Sequence, residues 1–69
     1  LAELVDGHRV RTALAQLEDV PRRLILMAFF EGVSHSEIAG RTGLSLGTVK
    51  SHIRRGIEKL RMILTELRA

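Results

Sequence analysis

Apolar residues recur at steps of three and four in the first and last thirds of the chain, which is the period of an amphipathic helix. The stronger stripe predicts a long helix capped by Ser45 and sustained over about five turns. Its members are Val49, Ile53, Ile57, Leu60, Leu64 and Leu67. A shorter stripe of Val10, Ala13, Leu14 and Leu17 predicts a first helix over about residues 7–18.

A run of apolar residues at positions 24–30 lies between these two stripes. A strand is the competing interpretation of so short a run. A helix over about residues 21–31 is favoured, because Pro21 precedes the run, Gly32 follows it, and Leu, Met and Ala are frequent within it. Asp19 is the expected N-cap. Because the helix is apolar on nearly every side, we expect neighbours to bury several of its faces.

Local signals mark a third helix between the second and the last. Ser34 and Glu37 match a capping box, in which the serine hydroxyl and the glutamate carboxylate each bond an unpaired backbone N–H. The helix therefore starts at about His35. It stops at Gly43, since a left-handed backbone is cheap only for glycine.

These elements predict an all-α domain of four helices without a strand. A short capped helix, a tight glycine turn and a long basic helix together form a helix-turn-helix. Ile38, Leu44, Val49 and Ile53 are expected to meet beneath the crossing of its two helices, with the small Ala39 beside them. Gly56 inside the last helix costs about 1 kcal/mol relative to alanine, which predicts close helix packing or a local bend there.

Composition excludes several classes of function. The 69 residues include no cysteine, tryptophan or tyrosine, so disulfides, thiolate metal sites and an aromatic stacking platform are ruled out. The three histidines lack metal-ligand spacing, and no nucleophile, base and orienting acid can be grouped. The longest apolar run is too short to span a membrane. We therefore expect a cytoplasmic protein that is not an enzyme, without metal, cofactor or membrane partner.

Charge is distributed unevenly along the chain. Seven of the 11 lysines and arginines follow residue 37, but only two of the eight acids do. A basic half of this kind on a folded domain indicates a polyanionic partner, nucleic acid above all. In that interpretation the last helix enters the major groove of DNA and its N-terminal amides approach the phosphates. A solvated basic face on an ordinary helical bundle is the alternative.

Three short motifs resemble region 4 of bacterial sigma factors, and the extracytoplasmic-function class fits best. They are Ser36-Glu37-Ile38-Ala39, Thr42-Gly43-Leu44-Ser45 and Gly47-Thr48-Val49-Lys50-Ser51. The resemblance extends over roughly residues 10–64. It implies a domain over residues 7–69, with residues 1–6 as a linker or N-terminal extension. Since the chain begins at Leu1, we expect it to be part of a longer protein.

The resemblance also implies a function and partners. The domain would recognise the minus-35 promoter element in double-stranded DNA, dock on the flap of the RNA polymerase β subunit, and be sequestered by an anti-sigma factor. Positions that face bases in the family are occupied by Lys50, Ser51, Arg54 and Arg55. Positions that contact the DNA backbone are occupied by Arg41, Ser45, Thr48 and His52.

Two other functions remain open at this point. The LuxR-type effector domain also contains a Thr-Val-Lys-Ser-His string, here residues 48–52, but its Thr-x-Arg-Glu opening is absent and Pro21-Arg22-Arg23 is foreign to it. The second alternative is a helical protein-interaction module, in which the basic helix has no role in binding. In that case Ile63, Leu64 and Leu67 would form a docking face, although we favour their packing against the first helix.

Overall fold

The computed structural model describes the backbone of residues 7–68 and the side chains of residues 7–66. Four α-helices follow one another: α1 (Gly7–Ala15), α2 (Asp19–Ile25), α3 (His35–Thr42) and α4 (Leu46–Arg68). Between α2 and α3, residues Leu26–Phe30 continue the second helix as a π-helical turn. No strand occurs within residues 7–68, so the all-α prediction is confirmed. The expected linker at residues 1–6 lies outside the described part.

Two serine caps fix where α3 and α4 begin. The Ser34 Oγ accepts a hydrogen bond from the Glu37 amide at 3.1 Å, and the Ser45 Oγ accepts one from the Thr48 amide at 3.1 Å. Both predicted N-caps are confirmed. The reciprocal half of the capping box is wrong, because the Glu37 carboxylate accepts from the Arg41 guanidinium at 2.9 Å instead.

The second helix begins two residues earlier than predicted. Glu18 is its N-cap, without a side-chain bond, and Asp19 is the first helical residue rather than the cap. The Asp19 carboxylate pairs with Arg22 at 2.8 Å and with Arg23 at 3.8 Å. A carboxylate in the first turn is favourable beside the positive end of the helix dipole, so Asp19 stabilises α2 without capping it.

The end of this helix departs further from the prediction. The Glu31 amide bonds the Leu26 carbonyl at 3.1 Å, five residues back, and left-handed Gly32 (φ 71°) then ends the element. Phe29 and Phe30 are 60% and 64% exposed, so the expected burial on several faces is wrong at these two positions. Leu24 and Ile25 are the buried residues of this helix, and the two aromatic side chains remain more exposed than buried.

The core lies along α4, which packs against the other three helices. Ten buried side chains form it: Ala13, Leu14, Leu17, Leu24, Ile25, Val33, Ile38, Val49, Ile53 and Ile63. Leu64 packs against this cluster, in agreement with the favoured placement of the last turns against the body of the domain. The Leu67 side chain lies outside the described residues. Met62 is 66% exposed, because it lies on the face of α4 opposite the core.

At Gly56, α4 packs closely against α2. A Cβ atom built on Gly56 would lie 2.6 Å from the Ile25 Cδ1 and 3.4 Å from the Pro21 Cβ. The first distance is shorter than real Cβ contacts, so a side chain at position 56 requires the Ile25 side chain or the helix that carries it to shift. Of the two alternatives predicted for this glycine, close helix packing is confirmed.

Candidate nucleic-acid interface

The turn between α3 and α4 is held by backbone and hydroxyl bonds. Gly43 takes the left-handed conformation (φ 78°), and its amide bonds the Ala39 carbonyl at 3.0 Å. The Thr42 hydroxyl donates to the Ile38 carbonyl at 2.8 Å and accepts from the Leu44 amide at 3.3 Å. Residues 43–45 therefore form a short, fixed connection, as a helix-turn-helix requires.

The crossing of α3 and α4 rests on the predicted apolar contacts. Ile38 and Val49 are fully buried, and Ile53 is 3% exposed. Ala39 and Leu44 are partly buried and pack against the same cluster. Because interiors are close-packed, this contact fixes the angle between the two helices and turns the opposite face of α4 to solvent.

Three cations project from this solvent face of α4. Lys50, Arg54 and Arg55 are all exposed, as the predicted base-reading role requires. None of them has an acidic partner within 4.0 Å in the described part of the chain. Ser51 is half-buried beside them. These side chains therefore stay available for a ligand that approaches α4 from outside.

The N-terminus of α4 offers further donors. Ser45 and Thr48 are exposed, and their hydroxyls bond each other at 2.8 Å. The amides of Leu46 and Gly47 have no acceptor among the described residues. Nothing lies within 4 Å of a Cβ built on Gly47, so a phosphate group has room to approach the backbone. Such an end carries partial positive charge and suits an anion.

The remaining predicted contact residues are more scattered. His52 is half-buried on α4. Arg41, near the end of α3, lines a groove of about 400 Å³ together with Arg23 and Leu44. Lys50 and Arg54 instead line a common groove along α4, so the structure brings these two together and places Arg41 apart from them, beside the turn.

The groove beside Lys50 and Arg54 contains three titratable residues that sequence reasoning did not assign, of which the acid is Glu58. It has a volume of about 360 Å³, and His35 and Arg61 line it as well. Arg61 follows Lys50 by 11 residues, which is three helical turns, so the helical period alone could have indicated it. His35 comes from α3 and joins the group only through the packing of α3 on α4.

A further groove, of about 270 Å³, is lined by apolar residues alone. It lies between α1, the π-helical turn and the middle of α4, and its lining includes Val10, Phe29, Phe30 and Ile57. Phe29 and Phe30 expose their aromatic rings at this groove. This groove adjoins the one beside Lys50 and Arg54, because Phe29 and Ile57 line both.

Two further features bear on function. In residues 7–68, no group of three or more histidine, aspartate or glutamate side chains could hold a metal ion. No helix in the same range is long and apolar enough to cross a membrane.

Comparison with known proteins identifies close sequence relatives. The model of the family described as sigma-70, region 4, matches residues 7–60. The extracytoplasmic-function (ECF) RNA polymerase sigma factor RpoE of Cereibacter sphaeroides is 47% identical over 56 residues, covering 81% of this chain and 31% of the relative. SigK of Mycolicibacterium vanbaalenii is 40% identical over 63 residues, covering 88% and 32%.

A third relative is also an ECF RNA polymerase sigma factor. SigL of Mycobacterium tuberculosis is 38% identical over 63 residues, covering 91% of this chain and 36% of the relative. The chain thus spans about a third of the length of the curated relatives it matches. No solved structure is a significant match to it.

Proposed function

Because the chain belongs to the sigma-70 region 4 family, we propose that it reads the minus-35 element of promoters in double-stranded DNA. The family module is a DNA-binding part of a sigma factor of the ECF class and is not an enzyme. The observation that carries the proposal is the exposure of Lys50, Arg54 and Arg55 on α4, while Val49 and Ile53 of the same helix are buried.

The chemistry of this face suits the major groove of DNA. The groove is about 12 Å wide, which admits a helix, and it presents the N7 and O6 acceptors of guanine to lysine and arginine. Lys50, Arg54 and Arg55 are long enough to reach those acceptors from an inserted α4, and the Ser51 hydroxyl bonds either kind of base. These four residues supply the sequence preference.

Contacts with phosphates set the position of the domain on the duplex. Ser45 and Thr48 lie at the N-terminus of α4, where the free amides of Leu46 and Gly47 also point outward. Arg41 and His52 provide further donors at the edges of the motif. Such contacts fix register and orientation but carry no sequence information.

The test is a salt titration on two duplexes. The first, the selected duplex, is enriched from a random pool by this chain, and the second is a shuffled duplex of equal length. We expect the logarithm of the association constant to fall linearly with log salt, with a slope between about −2 and −4, and tighter binding to the selected duplex at every salt concentration. Equal affinity for both duplexes would show that α4 does not read bases.

We also propose that the apolar groove around Phe29 and Phe30 docks protein partners. The expected partners are the flap of the RNA polymerase β subunit and an anti-sigma factor, and the domain acts in the cytoplasm with polymerase and DNA. The groove is also what favours the second candidate function, a protein-interaction module. Its wholly apolar lining suits the apolar face of a helix.

Replacing both Phe29 and Phe30 with serine separates docking from DNA binding. We expect affinity for core polymerase, measured by fluorescence anisotropy, to fall at least tenfold, because aromatic anchors dominate such interfaces. Affinity for the selected duplex stays within twofold. Met62→Ser is the matched control, since Met62 is equally exposed but lies outside the groove. If the control weakens polymerase binding as much as the double variant, the groove is not the docking surface.

A further inference from the structure

We propose that Glu37 competes with DNA phosphates for the guanidinium of Arg41, and so lowers the affinity of the domain for all DNA sequences alike. The inference rests on the proposed function, in which Arg41 contacts the DNA backbone. It makes Glu37 a positioning residue that acts through Arg41 rather than by touching DNA.

The two side chains are bonded in the free domain. The Arg41 Nη2 donates to the Glu37 Oε2 at 2.9 Å, one helical turn away on α3. Their side chains are 51% and 56% exposed, so both can rearrange in solvent without disturbing the core. An ion pair this exposed is weak. A phosphate can therefore displace the carboxylate, but its binding to Arg41 is weakened because the Arg41–Glu37 ion pair must first break.

The capping arrangement leaves the carboxylate free for this role. Ser34 satisfies the backbone amide of Glu37 at 3.1 Å, which anchors that residue in the first turn of α3. Its carboxylate does not complete the capping box and is directed to Arg41 instead. The start of α3 is thus maintained by the serine hydroxyl, and the glutamate side chain can be changed without losing the cap.

Arg41 differs in this respect from the cations on α4. Lys50, Arg54 and Arg55 have no acid within 4.0 Å across residues 7–66, whereas Arg41 forms an ion pair with Glu37. Arg41 is also two residues from Gly43, at the start of the connection to α4. The paired cation thus lies at the edge of the interface assigned to phosphates, and the unpaired ones occupy the face assigned to bases.

This division predicts which binding property changes when Glu37 is altered. Phosphates are present in every duplex, so the contact made by Arg41 carries no sequence information. Releasing Arg41 from Glu37 should therefore strengthen binding to selected and shuffled duplexes by the same factor. The ratio of the two affinities should stay as it is in the unaltered chain.

A double-mutant cycle tests the coupling. We expect Glu37→Gln to tighten binding to both duplexes about threefold at 0.1 M salt, the size of a weak exposed ion pair. In the Arg41→Gln background the same substitution should change affinity by less than about 1.5-fold. Glu66→Gln is the control, because Glu66 is an exposed acid near the far end of α4 that forms no ion pair within residues 7–66.

Two outcomes would overturn the inference. If the gain from Glu37→Gln persists in the Arg41→Gln background, or if Glu66→Gln gives an equal gain, the effect is one of net charge and not of competition for Arg41. Preference of the unaltered chain for the selected duplex is recorded in the same titrations. If the unaltered chain shows no such preference, the proposed base reading is rejected. The double-mutant cycle tests the coupling of Glu37 and Arg41 whether or not that preference is found.

Discussion

Replacing Gly56 with leucine is expected to lower the free energy of unfolding by about 3 kcal/mol, the upper range for overpacking a core. A Cβ at this position already lies 2.6 Å from the Ile25 Cδ1, and Ile25 is only 3% exposed, so its side chain has little room to move aside. Leucine adds three more carbons to the same space. The gain in helix propensity over glycine, under about 1 kcal/mol, does not offset this clash.

Urea denaturation followed by circular dichroism measures the effect. Gly40→Leu is the matched control, because Gly40 is helical and exposed, with nothing within 4 Å of a Cβ built on it. That substitution should stabilise the domain by about 0.5–1 kcal/mol through helix propensity alone. Equal urea midpoints for the two variants would mean that α2 does not pack closely on α4 at Gly56.

Substituting Arg55 with alanine is expected to weaken binding to the selected duplex by about 10- to 100-fold, the range for loss of a base contact by arginine. Binding to the shuffled duplex should weaken only a few-fold, since there the side chain contributes its charge alone. The sequence preference of the domain therefore falls along with its affinity. Fluorescence anisotropy with both duplexes at a single salt concentration measures the two effects together.

Lys59→Ala serves as the control for Arg55→Ala. Lys59 is an exposed cation on the same helix, one turn further from the N-terminus, and it was not assigned to the interface. We expect it to reduce affinity about twofold on both duplexes. If Arg55→Ala behaves in the same way as this control, Arg55 contributes general charge and does not read a base.

Features that depend on neighbouring residues in the chain were predictable from the sequence. The Ser34 and Ser45 caps and the left-handed Gly43 all form as expected, because each depends on a few adjacent residues. Close packing at Gly56 was one of two alternatives, since glycine inside a stable helix needs a reason. The period of α4 likewise places Lys50 and Arg55 away from the core.

Features that depend on tertiary packing could not be read in the same way. An apolar run predicts burial, but it does not show whether enough neighbours exist to cover every face. Phe29 and Phe30 remain exposed for this reason. The π-helical turn that carries them has no simple sequence signal, since its residues are compatible with an ordinary helix.

The candidate site shows the same limit. The capping-box spacing predicted that the Glu37 carboxylate bonds the backbone at the start of α3, whereas in the structure it accepts from the Arg41 guanidinium. The grouping of His35 with Lys50 and Arg54 arises only when α3 packs on α4. The family itself was identifiable from the motifs around Gly43 and Val49, and membership in the sigma-70 region 4 family displaces the LuxR-type alternative.

Amide chemical shifts of the isotope-labelled chain, recorded with and without the selected duplex, test most directly whether α4 enters the major groove. The largest changes should fall between Arg41 and Arg55, with contacts from the Lys50 and Arg55 side chains to guanine protons in the groove. The residues around Phe29 and Phe30 should change little. Changes concentrated at Phe29 and Phe30, with residues 45–55 unaffected, would contradict DNA reading by α4.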